Sequence, residues 1–244
     1  MIRKILFAGL FISGVILFAF KNNHDGWWGW GKKGSGVERT EIREASKFIG
    51  IDVGGAFDVE VVCGKEPSIE ITADDNLLED ITTTVRGNTL YIETKQNISP
   101  KTKLRLRIAT QNLEDVQSSG ASDLIIKGVN NDKLSISTSG AGSVKASVKT
   151  GKLSVETSGA GNVDISGSAN TLDVETSGAA EIKARDLQVK NARIEVSGAG
   201  DVEVRVSEEL NVSVSGAGDI RYYGNPKTVS KEVSGAGSVS KKGD

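Results

Sequence analysis

The chain has 244 residues, 37% hydrophobic and 25% charged, with a formal net charge of -2; its 29 Gly and 26 Ser stand against 3 Pro and one each of Cys, Met and His. One Cys excludes an intrachain disulfide framework and a cysteine-based zinc or iron–sulfur site, and one His excludes a multi-histidine metal centre. So little Pro excludes collagen-like and proline-rich architectures, while the supply of Val, Ile and Leu argues against disorder.

Met1-Ile2-Arg3-Lys4 is a short basic start, and Ile5 to Phe20 is a run without a charge. That length suits the apolar region of a signal peptide and is short for a relaxed membrane span, which needs roughly 20 residues. Basic residues before the run predict export of the chain beyond Phe20. No A-x-A cleavage pattern is evident, and no Cys near the end of the run permits lipoprotein processing. Trp27, Trp28 and Trp30, with Lys32 and Lys33 just beyond them, fit the membrane–water boundary of an uncleaved anchor. Residues 1–20 are therefore read as a signal peptide or a signal anchor, residues 21–38 as a Gly/Trp-rich linker, and residues 39–244 as the folded domain. Such a protein is exported to the periplasm, outer membrane or cell surface. His24, the only histidine, lies in the linker, a poor place for catalysis. Residues 1–36 carry a net +4 and leave -6 for the remainder, so the domain lacks the basic face that a nucleic-acid partner needs.

The folded part begins with Ile49, Ile51 and Val53 before Gly54-Gly55-Ala56, then Val59 and Val61 after it, two strands around a corner. Ser68–Thr72 and Lys103–Ile108 alternate as strands. Between them, Asp74–Asp80 is a short helix or loop, and Thr84–Tyr91 is a hairpin turning at Gly87-Asn88. We read residues 39–112 as irregular first coils that begin or cap a more regular array. Cys63 is a small side chain at the edge of the core, since a reactive thiol wants more positive neighbours than Lys65 alone.

From residue 113 to 240 the chain is a repeat. Ser-Gly-Ala recurs at Ser119, Ser139, Ser158, Ser177, Ser197, Ser215 and Ser234, at intervals of 18 to 20 residues. Before each corner, apolar residues alternate with polar ones, as in Leu153-Ser154-Val155-Glu156-Thr157, and the position five after each Ser is Leu, Val or Ile. Each unit thus holds two half-buried strands joined by a Gly-rich corner. Only stacking of like on like buries one apolar face per unit continuously. The expected fold is an all-β, single-stranded right-handed parallel β-helix with coils of about nineteen residues and a narrow aliphatic interior. Gly is expected at the corner for backbone angles costly to other residues, and the corner Ala is expected to point inward. Tyr222 and Tyr223 are read as capping the core edge, and Lys231, Lys241 and Lys242 as guarding the far end against strand addition.

The stretch Thr72-Ala73-Asp74-Asp75-Asn76-Leu77-Leu78, the serial S-G-A-G-[DNS]-V units and Tyr223-Gly224-Asn225-Pro226, behind an export signal and Gly-rich linker, resemble the auto-transporter adhesin head GIN domain family over roughly residues 37–240. The resemblance implies an exported bacterial β-helix with a surface or adhesive role, and it brings no catalytic residues. Ser122 and Ala180 depart from it at the second corner Gly.

The position four after the corner Ser is polar in every copy, and stacking places Glu181, Asp201 and Asp219 on consecutive coils about 4.8 Å apart. This ladder is the candidate cation site, calcium being the fitting ion; the alternative is that Asp and Asn favour turns. The Gly-Ala-Gly corners lack the Lys-Ser/Thr and the helix of a phosphate loop. No catalytic or cofactor-binding residue emerges. The reading is a non-enzymatic binding or adhesion module for a surface glycan or protein, membrane-attached if residues 5–20 are retained. The alternatives are a protein that self-assembles through its coil edges and, more remotely, a carbohydrate-active enzyme.

Overall fold

The structure, a computed structural model, describes residues 31–243; the expected signal or anchor segment, His24 and the tryptophan cluster lie outside them. The strands in chain order are β1 (Lys32–Lys33), β2 (Glu38–Arg43), β3 (Gly50–Gly55), β4 (Asp58–Cys63) and β5 (Ser68–Asp74), then a 3-10 turn at Asp75–Asp80. β6 (Ile81–Arg86), β7 (Thr89–Thr94), β8 (Ile98–Ser99), β9 (Arg105–Thr110) and β10 (Asp115–Gly120) come next. The regular part comprises β11 (Asp123–Thr138), β12 (Ser143–Thr157), β13 (Asn162–Thr176), β14 (Glu181–Val196), β15 (Asp201–Val214), β16 (Asp219–Tyr223), β17 (Thr228–Val233) and β18 (Ser238–Lys241).

From β10 onward every pairing is parallel and joins each coil to the next, so the chain forms a β-solenoid. Like stacks on like: Leu134, Leu153 and Leu172 share one row, and Leu124, Val144, Val163 and Ile182 another. All seven are at most 2% exposed. Full burial of such a side chain contributes about 1.5–3 kcal/mol, and repetition of these rows makes one continuous core.

The corner glycines are required for a different reason from the one expected. Positive φ occurs at the corners only in Gly55 and Gly120. In later coils a Cβ on the first corner Gly would strike the carbonyl oxygen of the Gly one coil earlier, at 1.9 Å for Gly159 and 1.9 Å for Gly178. That same oxygen accepts a hydrogen bond from the next residue's N–H, as in Ala179 N–H to Gly159 O at 3.0 Å. The corner is thus itself a hydrogen-bonded ladder, too closely stacked for a side chain. The corner Ala is also placed otherwise than expected. Ala141, Ala160, Ala179, Ala199 and Ala217 are exposed, and the following residue faces the interior, as Gly161, Ala180, Gly200 and Gly218 do. With the chain extended through the corner, consecutive residues alternate sides, and the burial of the fourth position sends the third outward. Ser122 occupies that inward position usefully: its hydroxyl accepts from Phe57 N–H at 3.0 Å and donates to Gly55 O at 3.2 Å.

Residues 31–112 form a cap by an out-of-order route. β3 and β4 make the coil adjoining β10 and β11. The chain then doubles back, so that β7 and β9 form the next layer outward, parallel to β3 and β4 respectively. Antiparallel partners close this end: β5 on β9, β2 on β5, and β6 on β7. The hairpin between β6 and β7 turns at Gly87-Asn88 with φ of 60° at Gly87 and no positive φ at Asn88, the pattern of a type II′ turn. The expected short helix is the 3-10 turn Asp75–Asp80.

That turn and its flanks hold the incoming chain. Asp74 is fully buried, and its carboxylate accepts from the N–H groups of Gly36, Lys101 and Thr102 and from the Thr102 hydroxyl. Burial opposes its charge, yet these hydrogen bonds prevail and hold the carboxyl below its ordinary range. Lys32 Nζ lies 2.7 Å from Asp80, and Asn76 accepts from Ser35 N–H. The described part of the expected linker, residues 31–38, is therefore tied into the cap.

Candidate functional site: rows and a groove on the solenoid surface

Parallel register converts each position of the repeat into a row running along the solenoid. The candidate ladder Glu181, Asp201 and Asp219 does stand on consecutive coils: Glu181 pairs with Asp201, whose Oδ1 accepts from Asp219 N–H at 3.0 Å. Its carboxylates have partners of their own. Lys183 lies 2.8 Å from Glu181, Arg221 approaches Asp201 and Asp219 at 3.8 and 3.9 Å, and the Ser238 hydroxyl donates to Asp219 at 2.7 Å. Among the described residues no group of three or more His, Cys, Asp or Glu converges as a metal would require.

Two residues further along each coil lies a row with alternating charge: Lys145, Asp164, Lys183, Glu203 and Arg221 are successive neighbours. Lys145 pairs with Asp164 at 3.7 Å and Arg221 with Glu203 at 3.6 Å. Glu181, and more weakly Glu203 and Asp164, push the Lys183 ammonium above its usual range. The pairs are exposed or half-exposed and individually worth little, but a one-residue slip would break every pair at once. Aligning the repeats column by column at 18 to 20 residues reveals this row in the sequence.

The interior polar rows have different fates. Asn112, Asn131 and Thr150 form a ladder at the mid-coil bend: Asn131 donates to Leu113 O at 2.6 Å, and Thr150 Oγ1 donates to Asn131 Oδ1 at 2.8 Å. Their 19-residue spacing is the sequence signal for it. By contrast Thr138, Thr157 and Thr176, stacked just before the corner, have buried hydroxyls without a hydrogen-bond partner. Val196 and Val214 continue the same row.

Cys63 is half-buried at the cap, and desolvation pushes its thiol up to about 11, so it is a protonated filler at neutral pH. Tyr222 and Tyr223 are 7% exposed; Tyr222 carries Lys231 Nζ 4.8 Å from its ring centre, and Arg185 stands 4.5 Å over Tyr223.

An open groove of about 820 Å³ lies over the mid-coil bend. One wall is a straight row, Asn130, Lys149, Ser168, Gln188 and Arg205, one residue from each of five coils. Its floor includes Thr150, Ala169, Val189 and Val206, and the far wall Asp132, Asn170 and Lys190. No residue of its two walls was singled out from the sequence, because a wall contributed by several coils has no local motif; Gly224 and Asn225, which also line it, were noted only as part of the family resemblance.

The fold and these rows can be set beside known proteins. The family described as "Putative auto-transporter adhesin, head GIN domain" matches residues 47–226. A crystal structure of a "putative adhesin" from Bacteroides fragilis shares 26% identity and a TM-score of 0.83, covering 87% of this chain and 100% of that one. A "putative lipid binding protein" from Parabacteroides distasonis and a "putative adhesin" from Parabacteroides merdae each share 24% identity and a TM-score of 0.70, over 86% of this chain and 98% of theirs; they attest the fold. A search of curated proteins gives no match. No helix among the described residues is long and apolar enough to cross a membrane. The family match spans the cap from β3 onward and the solenoid coils as far as Asn225-Pro226, and the chain belongs to that head GIN domain family.

Proposed function

We propose that this protein is an exported, non-catalytic adhesion module that presents a rigid lattice of polar side chains to a surface ligand. The observation that carries the reading is the groove over the mid-coil bend, whose wall is a row of polar side chains fixed to five hydrogen-bonded coils. Side chains held at fixed spacing bind with less ordering cost than those on loops. Membership of an adhesin family and the basic start before an apolar run support export.

The two ends of the solenoid weigh against end-to-end assembly. One carries the antiparallel cap. At the other, the last described coil puts Lys231 and Lys241 in register with the buried Val212 and Tyr222, so that two core positions hold charges, a device that discourages strand addition. The test is adherence. Beads coated with the full chain are expected to be retained on epithelial or bacterial cell layers above albumin-coated beads, and equal retention refutes the adhesion reading.

A further inference from the structure

The regular coils from β10 to β16 contain seven lysines. Five are ion-paired: Lys127 with Glu60, Lys133 with Glu114, Lys145 with Asp164, Lys152 with Asp173 and Lys183 with Glu181. The two that make no ion pair among the described residues, Lys149 and Lys190, both line the groove, on opposite walls. Four of the other polar side chains of the groove are equally unengaged. The side chains of Asn130, Ser168, Asn170 and Gln188 make no hydrogen bond among the described residues. Elsewhere on the coils, charged groups tend to satisfy one another, as in the alternating charge row.

We propose that the groove is a binding site for an extended acidic polysaccharide, with Lys149 and Lys190 receiving its anionic groups. The reasoning is chemical. Amide and hydroxyl side chains both donate and accept, as a chain of sugar hydroxyls requires, and two unpaired ammonium groups select carboxylate or sulfate on that chain. With one carboxylate, Asp132, against the ammonium groups of Lys149 and Lys190, the groove is a positive strip on a domain whose remaining charge is negative. Nucleic acid fits less well, because no aromatic side chain lines the groove for base stacking. Lys149 and Lys190 lie two coils apart, roughly 10 Å along the axis at one coil per ~4.8 Å, so the ligand is a polymer lying along the groove.

This inference rests on the adhesion reading and has its own test. The full chain, purified in detergent, is titrated against immobilised polygalacturonate, dextran sulfate, uncharged dextran, polyglutamate and single-stranded DNA. Salt-sensitive binding to at least one acidic polymer and none to dextran is expected. The K149Q/K190Q variant should bind at least about tenfold more weakly, while K145Q/K183Q, which removes the same charge from the ion-paired row, should bind as the parent does. All four substitutions are at exposed side chains, and matching circular dichroism melts verify folding. Equal binding by K149Q/K190Q, binding to dextran as tight as to the acidic polymers, or a preference for polyglutamate or single-stranded DNA overturns the assignment. Beads that adhere to cells while the chain ignores every acidic polysaccharide sink this inference and leave adhesion standing; beads that fail to adhere sink the adhesion reading.

Discussion

The placement of the corner glycines makes Gly178→Ala the sharpest test of the solenoid's packing. The new Cβ would lie 1.9 Å from Gly159 O, where real Cβ atoms do not come under 3.0 Å. The two coils must then open locally by about 1 Å. The hydrogen bond from Ala179 N–H to Gly159 O, now 3.0 Å, would stretch to about 4 Å and be lost. A lost hydrogen bond costs about 1 kcal/mol and overpacking a further ~1–3 kcal/mol, so the loss is about 2–4 kcal/mol. For a domain of this size each kcal/mol lowers the melting temperature by about 2–4 °C, which makes a drop on the order of 10 °C. Stability in a solenoid is approximately a sum over neighbouring coils, so the damage should centre on the interface between the coils holding Gly159 and Gly178. Thermal and guanidinium unfolding monitored by circular dichroism measure the loss, and hydrogen exchange locates it. Ala179→Ser is the control, since Ala179 is exposed and should change stability by less than about 0.5 kcal/mol. If Gly178→Ala costs no more than that control, the close-approach argument is wrong.

Thr157→Val replaces a buried, partnerless hydroxyl by a methyl of the same shape, as Val196 and Val214 already have in that row; denaturant melts should show a gain of about 1 kcal/mol, and a loss would mean that the hydroxyl is satisfied. Asp74→Ala orphans the N–H groups of Gly36, Lys101 and Thr102 and should cost about 3 kcal/mol or more, with hydrogen exchange accelerated first in residues 31–37. The carboxyls of Asp74 and Asp80 sit below their ordinary values, Asp80 chiefly through its hydrogen bond from Lys32. Their stabilisation is therefore complete above the unfolded carboxyl pKa of about 4 and lost as pH falls through the lower folded values; a melting temperature flat from about pH 5 down to pH 2 would contradict this. Lys231→Val with Lys241→Val exposes an uncharged core edge in the last described coil, and analytical ultracentrifugation should reveal self-association absent from the parent. Chelator should leave the melting temperature unchanged, because Lys183, Arg221 and Ser238 already meet the carboxylates of Glu181, Asp201 and Asp219; a fall restored by calcium would place the ion on that ladder.

The coil itself is written in the amino-acid order. Period-two alternation within nineteen residues is a local property, so the inward rows and the repeat length follow from Leu153-Ser154-Val155 and its copies without knowledge of neighbours. The Gly87-Asn88 hairpin, the short helix near Asp74 and the lysines of the last coil were legible for the same reason. What lay over what was settled only in three dimensions. Whether Gly178 is needed for its backbone angle or for its missing Cβ depends on the carbonyl of a residue nineteen positions earlier. The direction of Ala179 depends on the chain staying extended through the corner, which the ladder imposes. The cap's layer order could not be read, because β7 and β9 stack outside β3 and β4 although they come later in the chain. The groove is the furthest case: Asn130, Lys149, Ser168, Gln188 and Arg205 are unremarkable in sequence and become one wall only because parallel pairing puts successive coils in register.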